Sequence, residues 1–228
     1  MRRILTIAIL AITASGCSHA MRITNLDQYK PPRSPPLDPQ RTIGVTTGSV
    51  TDATTREYVD AIASGLSRDG SFARVIYPYD GRAGADFVVD IRIAPKYSGE
   101  PTNFFVNWPG FLIFAPAIWG YGYQAEIDTN VSVRAADGAT GQFAIPTVFK
   151  FRQAEFDRTW TELGWFEVGI IPLIGGLVFT GYDTDVTPEF VSKVAPTYGS
   201  YVAQRIRESI ASLKPAGEPR TTEAVPGT

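Results

Sequence analysis

The sequence predicts an α+β fold: a mostly antiparallel sheet with helices on one face and two apolar aromatic inserts. Three observations carry that expectation. Apolar and polar residues alternate in the stretches 85–95 and 127–135. Amphipathic helical patterns stand near both ends of the folded part, at 54–70 and 187–213. Between them lie two apolar runs, NFFVNWPGFLIFAPAIWGYGY at 103–123 and WFEVGIIPLIGGLVFTGY at 165–182.

The elements follow in order. RTIGVTT, from Arg41, reads as a short strand. TTREYVDAIASGLSRDG reads as a helix, with Thr54 and Glu57 spaced as a capping box. Its apolar face is Tyr58, Val59, Ile62 and Leu66, and Asp69-Gly70 stops it. ARVIYP is a second strand. ADFVVDIRIAP is a third, with Phe87, Val89, Ile91 and Ile93 on one face and Asp86, Asp90 and Arg92 on the other. A hairpin follows, with Ile127, Thr129, Val131, Val133 and Ala135 alternating with polar residues. Asp137-Gly138 begins its turn. The return strand carries Phe143, Ile145, Phe149 and Phe151, and Pro146 within it predicts an edge position or a bulge. Thr187-Pro188 opens the last helix, which Pro196 is expected to break or kink near Ala195. Residues 214–228 read as a disordered tail.

The N-terminus predicts a compartment. Arg2 and Arg3 precede the apolar stretch Ile4–Ile12 and then small residues up to Gly16. That is a secretory signal, too short to remain as a membrane span. Ala14-Ser15-Gly16-Cys17 then resembles the lipobox of bacterial lipoproteins, with Ala14 where that family prefers Leu. The resemblance implies cleavage before Cys17 and lipid, palmitate included, on that residue. Ser18, which is not Asp, implies sorting to the outer membrane with the domain facing the periplasm. Cys17 is the single cysteine of the chain, so no intrachain disulfide forms, and lipidation removes a reactive thiol. Residues 17–40, with five prolines in KPPRSPPLDPQ, read as a semi-rigid tether, and residues 41–213 as a single domain.

Composition narrows the function. Without Arg2 and Arg3, Lys+Arg falls from 21 to 19 against 23 Asp+Glu, a net charge of −4. With no basic run, nucleic acid is not an expected partner. The only histidine is His19 and the only cysteine is Cys17, which excludes Ser–His, Cys–His and His-rich metal chemistry. No cofactor or metal is expected. Asp183 and Asp185 suit a helix entry, and Glu155 and Asp157 a solvated strand end. The chain therefore reads as a non-enzyme. A carboxylate-based hydrolase of cell wall or glycan is the distant alternative, needing two carboxylates in one cleft.

The apolar inserts leave three readings open. Pro109, Pro116 and several glycines oppose a single spanning helix. Trp119, Tyr121 and Tyr123 alternate with Gly120, Gly122 and Gln124, which suits a membrane β-hairpin. A non-spanning apolar surface, packed on its own domain or docking on a subunit or leaflet, is the reading preferred. Trp108, Phe111, Trp119, Tyr121, Tyr123 and Trp165 are the expected contact residues.

The layout also resembles the periplasmic domain of curli-secretion-type lipoproteins. The residues that carry this are the early strand and helix, Gly84-Ala85-Asp86-Phe87-Val88-Val89, and the strand from Val131 ending in the Asp-Gly-x-x-Gly of 137–141. It implies a ring-forming subunit of an outer-membrane secretion channel. The expected function is thus a lipid-anchored, non-enzymatic envelope protein with a structural, assembly or interaction role. Its partners are the membrane and either a second copy or another envelope protein.

Overall fold

The computed structural model describes residues 20–31, 40–48, 52–68, 70–107, 119–154 and 181–213. Six strands form one sheet: β1 (Ala20–Ile23), β2 (Thr42–Thr47), β3 (Arg74–Ile76), β4 (Phe87–Gly99), β5 (Tyr121–Ala135) and β6 (Thr140–Ala154). The helices are α1 (Ala53–Arg68), the short α2 (Asn103–Asn107) and the long α3 (Thr187–Ser212). Single 3₁₀ turns occupy Leu26–Tyr29 and Thr184–Val186. The fold is α+β, with strand order β1-β6-β5-β4-β2-β3.

The sheet is mixed rather than mostly antiparallel. β2 runs parallel to both β3 and β4, with Ile43 opposite Val75 and Val45 opposite Val89. The cause is the crossover: α1 carries the chain back along β2, so β3 starts at the same end. The link to β4 then repeats the return, Tyr79 N donating to Val45 O (2.9 Å) and Asp86 N to Thr42 O (2.8 Å). The Tyr79 ring lies flat on Gly44, where a Cβ would come within 2.6 Å of the ring. From β4 onward the pairing is antiparallel. Ala136 N donates to Asp86 O at one end of the β4–β5 pair and Glu100 N to Gly122 O at the other. The β5–β6 hairpin turns through Asp137-Gly138, with Gly138 at φ 88° and Asp137 Oδ1 accepting from Ala139 N at 2.9 Å.

By contacts the chain divides into two compact units where the sequence led us to expect one domain. The first comprises residues 1–28, 95–127 and 147–194; the second comprises 29–94, 128–146 and 195–228. The first unit contains β1, antiparallel to the end of β6. A strand and a 3₁₀ turn thus lie ahead of Arg41, inside the stretch read as a tether. No periodicity announced the strand, because four residues are too few to show one. Pro146 is exposed and lies beyond the β6 residues that β1 pairs, so it holds an edge position as expected.

In the second unit, α1 and the later turns of α3 cross at very short range. A Cβ on Gly65 would stand 2.9 Å from Gly199 O, and one on Gly199 would overlap the Ala61 carbonyl. Small residues let the two backbones meet, and Tyr58, Ile62, Leu66, Tyr198, Val202 and Ile206 bury the flanks. Tyr58 and Tyr198 meet edge-on at 5.0 Å, and the Tyr198 hydroxyl shares a hydrogen bond with Thr129. The cap of α1 is Asp52, not Thr54: its Oδ1 accepts from Thr55 N at 2.7 Å. Hydrogen bonds from the Thr55 side chain and then its backbone N–H hold the Asp52 carboxyl below its ordinary range. Asp52 wins because a cap must sit outside the first helical residue, and the helix starts at Ala53.

Helix α3 continues through Pro196 instead of breaking there. Proline costs one backbone bond, while Val191, Val194, Ala195, Tyr198 and Val202 are buried on either side of it. Burial of a continuous apolar face outweighs that loss. The N-terminal cap is also not Thr187: Asp183 Oδ1 accepts from Asp185 N at 3.0 Å and starts a 3₁₀ turn that leads into the helix. Replacing Gly199 by Ala should lower stability by about 1–3 kcal/mol, because the added methyl meets backbone that cannot swing aside. Gly84→Ala, with nothing within 4 Å of its Cβ, is the near-neutral control. Urea midpoints at constant m-value provide the measurement.

Candidate functional site at the aromatic end of the first unit

The sequence-selected residues fall in the first unit or outside the described residues. Cys17, Trp108, Phe111 and Trp165 are outside them, as are Glu155 and Asp157. Trp119, Tyr121 and Tyr123 are described, and they divide. Tyr121 and Tyr123 have no exposed surface, whereas Trp119 is 55% exposed, the one exposed large hydrophobic side chain among the described residues. Alternation correctly placed Tyr121 and Tyr123 on one face. That face is turned inward, so these two rings offer no surface to a partner here.

Their surroundings explain the burial. Tyr123 packs against Phe151 at 5.4 Å and meets Tyr182 edge-on at 5.4 Å. Tyr182 stacks on Tyr97 at 5.0 Å and 13°. Phe190, from the first turn of α3, stacks on Phe151 at 4.3 Å and meets Tyr97 edge-on at 5.9 Å. Five elements or links thus contribute rings to one cluster. Each such pair adds about 0.5–1.5 kcal/mol beyond the area it buries. Burial, ahead of the charge of Asp183 and the neighbouring Tyr97, pushes the Tyr182 hydroxyl up to about 12. Its bond with Thr187 Oγ1 (2.9 Å) acts the other way.

The start of β5 is fixed by Asn103, which sequence reasoning missed. The side chain is fully buried. Its Oδ1 accepts from Gly122 N at 2.6 Å and its Nδ2 donates to Gly122 O at 2.8 Å. Asn103 thereby imitates a paired strand residue, and no pattern in a single sequence announces that role. Gly122 suits it because a Cβ there would overlap the Glu100 carboxylate. Gly120, at φ 67°, brings the chain so close to β6 that a Cβ would lie 2.7 Å from Gln153 O. Arg152 Nη1 donates to Trp119 O at 3.4 Å, and its Nη2 lies 3.9 Å from Glu100 Oε2. Ala20 stands opposite Ala154 in the β1–β6 register. Ala20, Trp119–Gly120 and Gln153–Ala154 therefore form one rim.

The described residues carry no group of three or more His, Cys, Asp or Glu that could hold a metal ion. No described helix is long and apolar enough to cross a membrane. Among the described residues, the second unit offers open grooves at two places. One, between α1 and β3, is lined by Asp60, Ser64, Ser67 and Tyr77. There Tyr77 donates to Asp60 Oδ1 at 2.7 Å, and burial followed by Asp60 pushes its hydroxyl up to about 12. The other lies on the sheet around Asp90, Arg92 and Gln142. Its carboxylate is already engaged, by Thr46 Oγ1 at 3.2 Å and Arg92 Nε at 3.1 Å. Each lining holds a single carboxylate, so neither groove offers the carboxylate pair of a glycosidase.

No protein-family model matches the chain, and no curated protein matches it either. Among solved structures, it is similar to a minor lipoprotein from Acinetobacter baumannii at 10% identity and a TM-score of 0.39, covering 81% of this chain and 100% of that one. It is similar to rare lipoprotein B from Shewanella oneidensis at 10% identity and a TM-score of 0.37, covering 75% and 94%. A third is a dodecameric PelC variant from Paraburkholderia phytofirmans, at 12% identity and a TM-score of 0.29, covering 80% and 98%.

Two outcomes test this site. Asn103→Ala should destabilise the protein by about 2–3 kcal/mol in urea unfolding, since it strands a buried N–H of Gly122 and removes a donor to its carbonyl. Alkaline titration should erode stability from about pH 10 towards pH 12, because Tyr182 and Tyr77 keep their protons in the folded state above the unfolded value of 10.0. In the double variant Tyr77→Phe, Tyr182→Phe the fall across that window should shrink, as read by thermal melts at stepped pH.

Proposed function

We propose that this chain is a non-enzymatic cell-envelope lipoprotein. It is anchored by lipid on Cys17 to the outer membrane, with its folded part in the periplasm. The observation that carries the reading is the succession of residues at the N-terminus: Arg2-Arg3, the apolar Ile4–Ile12, and Ala14-Ser15-Gly16 directly before the single cysteine. Two features support it. The described strand β1 starts three positions after Cys17 in the sequence, at Ala20. The described carboxylates discussed above are engaged in caps and ion pairs, which suits a structural or interaction role.

Within this reading, anchoring and contact are separate jobs. Cys17 supplies durable attachment, since buried acyl chains contribute about 0.8 kcal/mol per CH₂. Trp119 supplies the contact surface, while Tyr121 and Tyr123 support it from within.

Cys17→Ser in the full-length chain provides the test. The variant should lose incorporation of labelled palmitate, retain its signal segment, and change its fractionation. Normal processing and unchanged membrane attachment of the serine variant would refute the reading.

A further inference from the structure

We infer that the rim formed by Ala20, Trp119–Gly120 and Ala154 rests directly against the lipid leaflet that holds the anchor. The folded part is docked on the membrane, not held away from it. The inference rests on lipidation of Cys17, as proposed above.

Chain length supplies the first argument. Three peptide steps separate Cys17 from Ala20, the first residue of β1. Fully extended they span about 10–11 Å. The polar layer on each side of a bilayer is about 5–8 Å deep. An acyl-bearing Cys17 at the base of that layer leaves Ala20 within a few ångströms of the headgroups. The proline-rich segment cannot lengthen this connection, because it follows β1 in the chain and joins β1 to β2.

The make-up of the rim supplies the second argument. Ala20 lies opposite Ala154, and the backbone at Gly120 is pressed against Gln153 and Ala154. The exposed Trp119 therefore lies at the same end of the sheet as Ala20, with Ala154 of β6 between them. Tryptophan favours the headgroup level of a bilayer, where its ring is half apolar and its N–H finds acceptors. Two positions inward, Arg22 stands directly opposite Arg152. Like charges facing each other across strands are unfavourable in isolation. Glu100 offsets the charge of Arg152 in part, and phosphate groups of a bilayer at that level would add a counter-charge for Arg22. The first apolar run of the sequence rejoins the described chain at this rim, at Trp119.

The test uses the mature lipidated protein, reconstituted in vesicles of phosphatidylethanolamine and phosphatidylglycerol. Single cysteines at Trp119→Cys and Glu126→Cys are labelled with a bimane fluorophore. Glu126 is an exposed control on the same strand, five residues beyond Tyr121 and about 17 Å along it. The label at 119 should lose most of its emission to spin-labelled lipid headgroups and be shielded from iodide. The label at 126 should behave in the opposite way. Equal quenching at the two positions, or free access of iodide to position 119, would overturn the inference. Ala20→Cys serves as a second rim probe if the Trp119 variant fails to fold. Mass spectrometry of the same sample separates the two readings. Lipid present with an iodide-exposed rim defeats the docked orientation alone. Lipid absent from Cys17 defeats the lipoprotein reading and the orientation with it.

Discussion

Four residues of backbone pairing bind the first described strand into the first unit. Ala20–Ile23 lies antiparallel on Phe151–Ala154, and this is what brings the N-terminus into the sheet. The pairing is longer than the strand itself. Thr24 N donates to Lys150 O at 2.8 Å, and the Asn25 side chain then continues the ladder. Its Nδ2 donates to Val148 O at 2.7 Å, and its Oδ1 accepts from Lys150 N at 2.9 Å. Asn103 does the same for Gly122. The unit thus uses asparagine twice where a backbone partner has run out. Buried N–H and C=O groups must find a partner somewhere, and a side-chain amide matches their geometry with one donor and one acceptor.

The long helix α3 meets its neighbours by two different physical means. In the first unit its opening turns present Phe190 to a cluster of rings that fill space by size and edge-to-face geometry. In the second unit Gly199 and Ala203 clear the way for backbone to approach backbone. Ring packing tolerates small displacements, because aromatic pairs have broad minima. A glycine crossing does not, since any added atom meets a carbonyl. The division between the units falls between Val194 and Ala195, one residue before Pro196.

Much of the fold was legible in the sequence, for reasons that are local. Alternation in 85–95 and 127–135 reflects one covered face, and the burial of Phe87, Val89, Ile91, Val131 and Val133 repeats it residue by residue. The helical face Tyr58, Val59, Ile62 and Leu66 is equally direct. What escaped depended on partners far away in the chain. The parallel pairs of β2 were implicit in a strand–helix–strand run, but the sheet as a whole was read as mostly antiparallel. β1 was invisible because its apolar residues are too few to show a period. At the site, the aromatic alternation was read correctly but not its direction, since the same pattern serves a lipid-facing strand and a core-facing one. Asn103 and Arg152 were missed because their roles are set by backbone atoms of other segments.

Lys193 gives β1 one further property. Its ammonium lies 3.0 Å from Met21 O across 172 positions of sequence, and 2.9 Å from Glu189 Oε1. By donating to the Met21 carbonyl, this lysine of α3 takes up an acceptor that a foreign strand would otherwise pair with. Yet both this lysine and β6 are far downstream of the strand they complete. A chain that emerges N-terminus first presents Ala20–Ile23 long before either partner exists. The unit cannot close by zipping up from its beginning, and loop closure of that length slows the step. Closing this edge of the first unit therefore depends on contacts between segments that lie more than 120 positions apart in the chain.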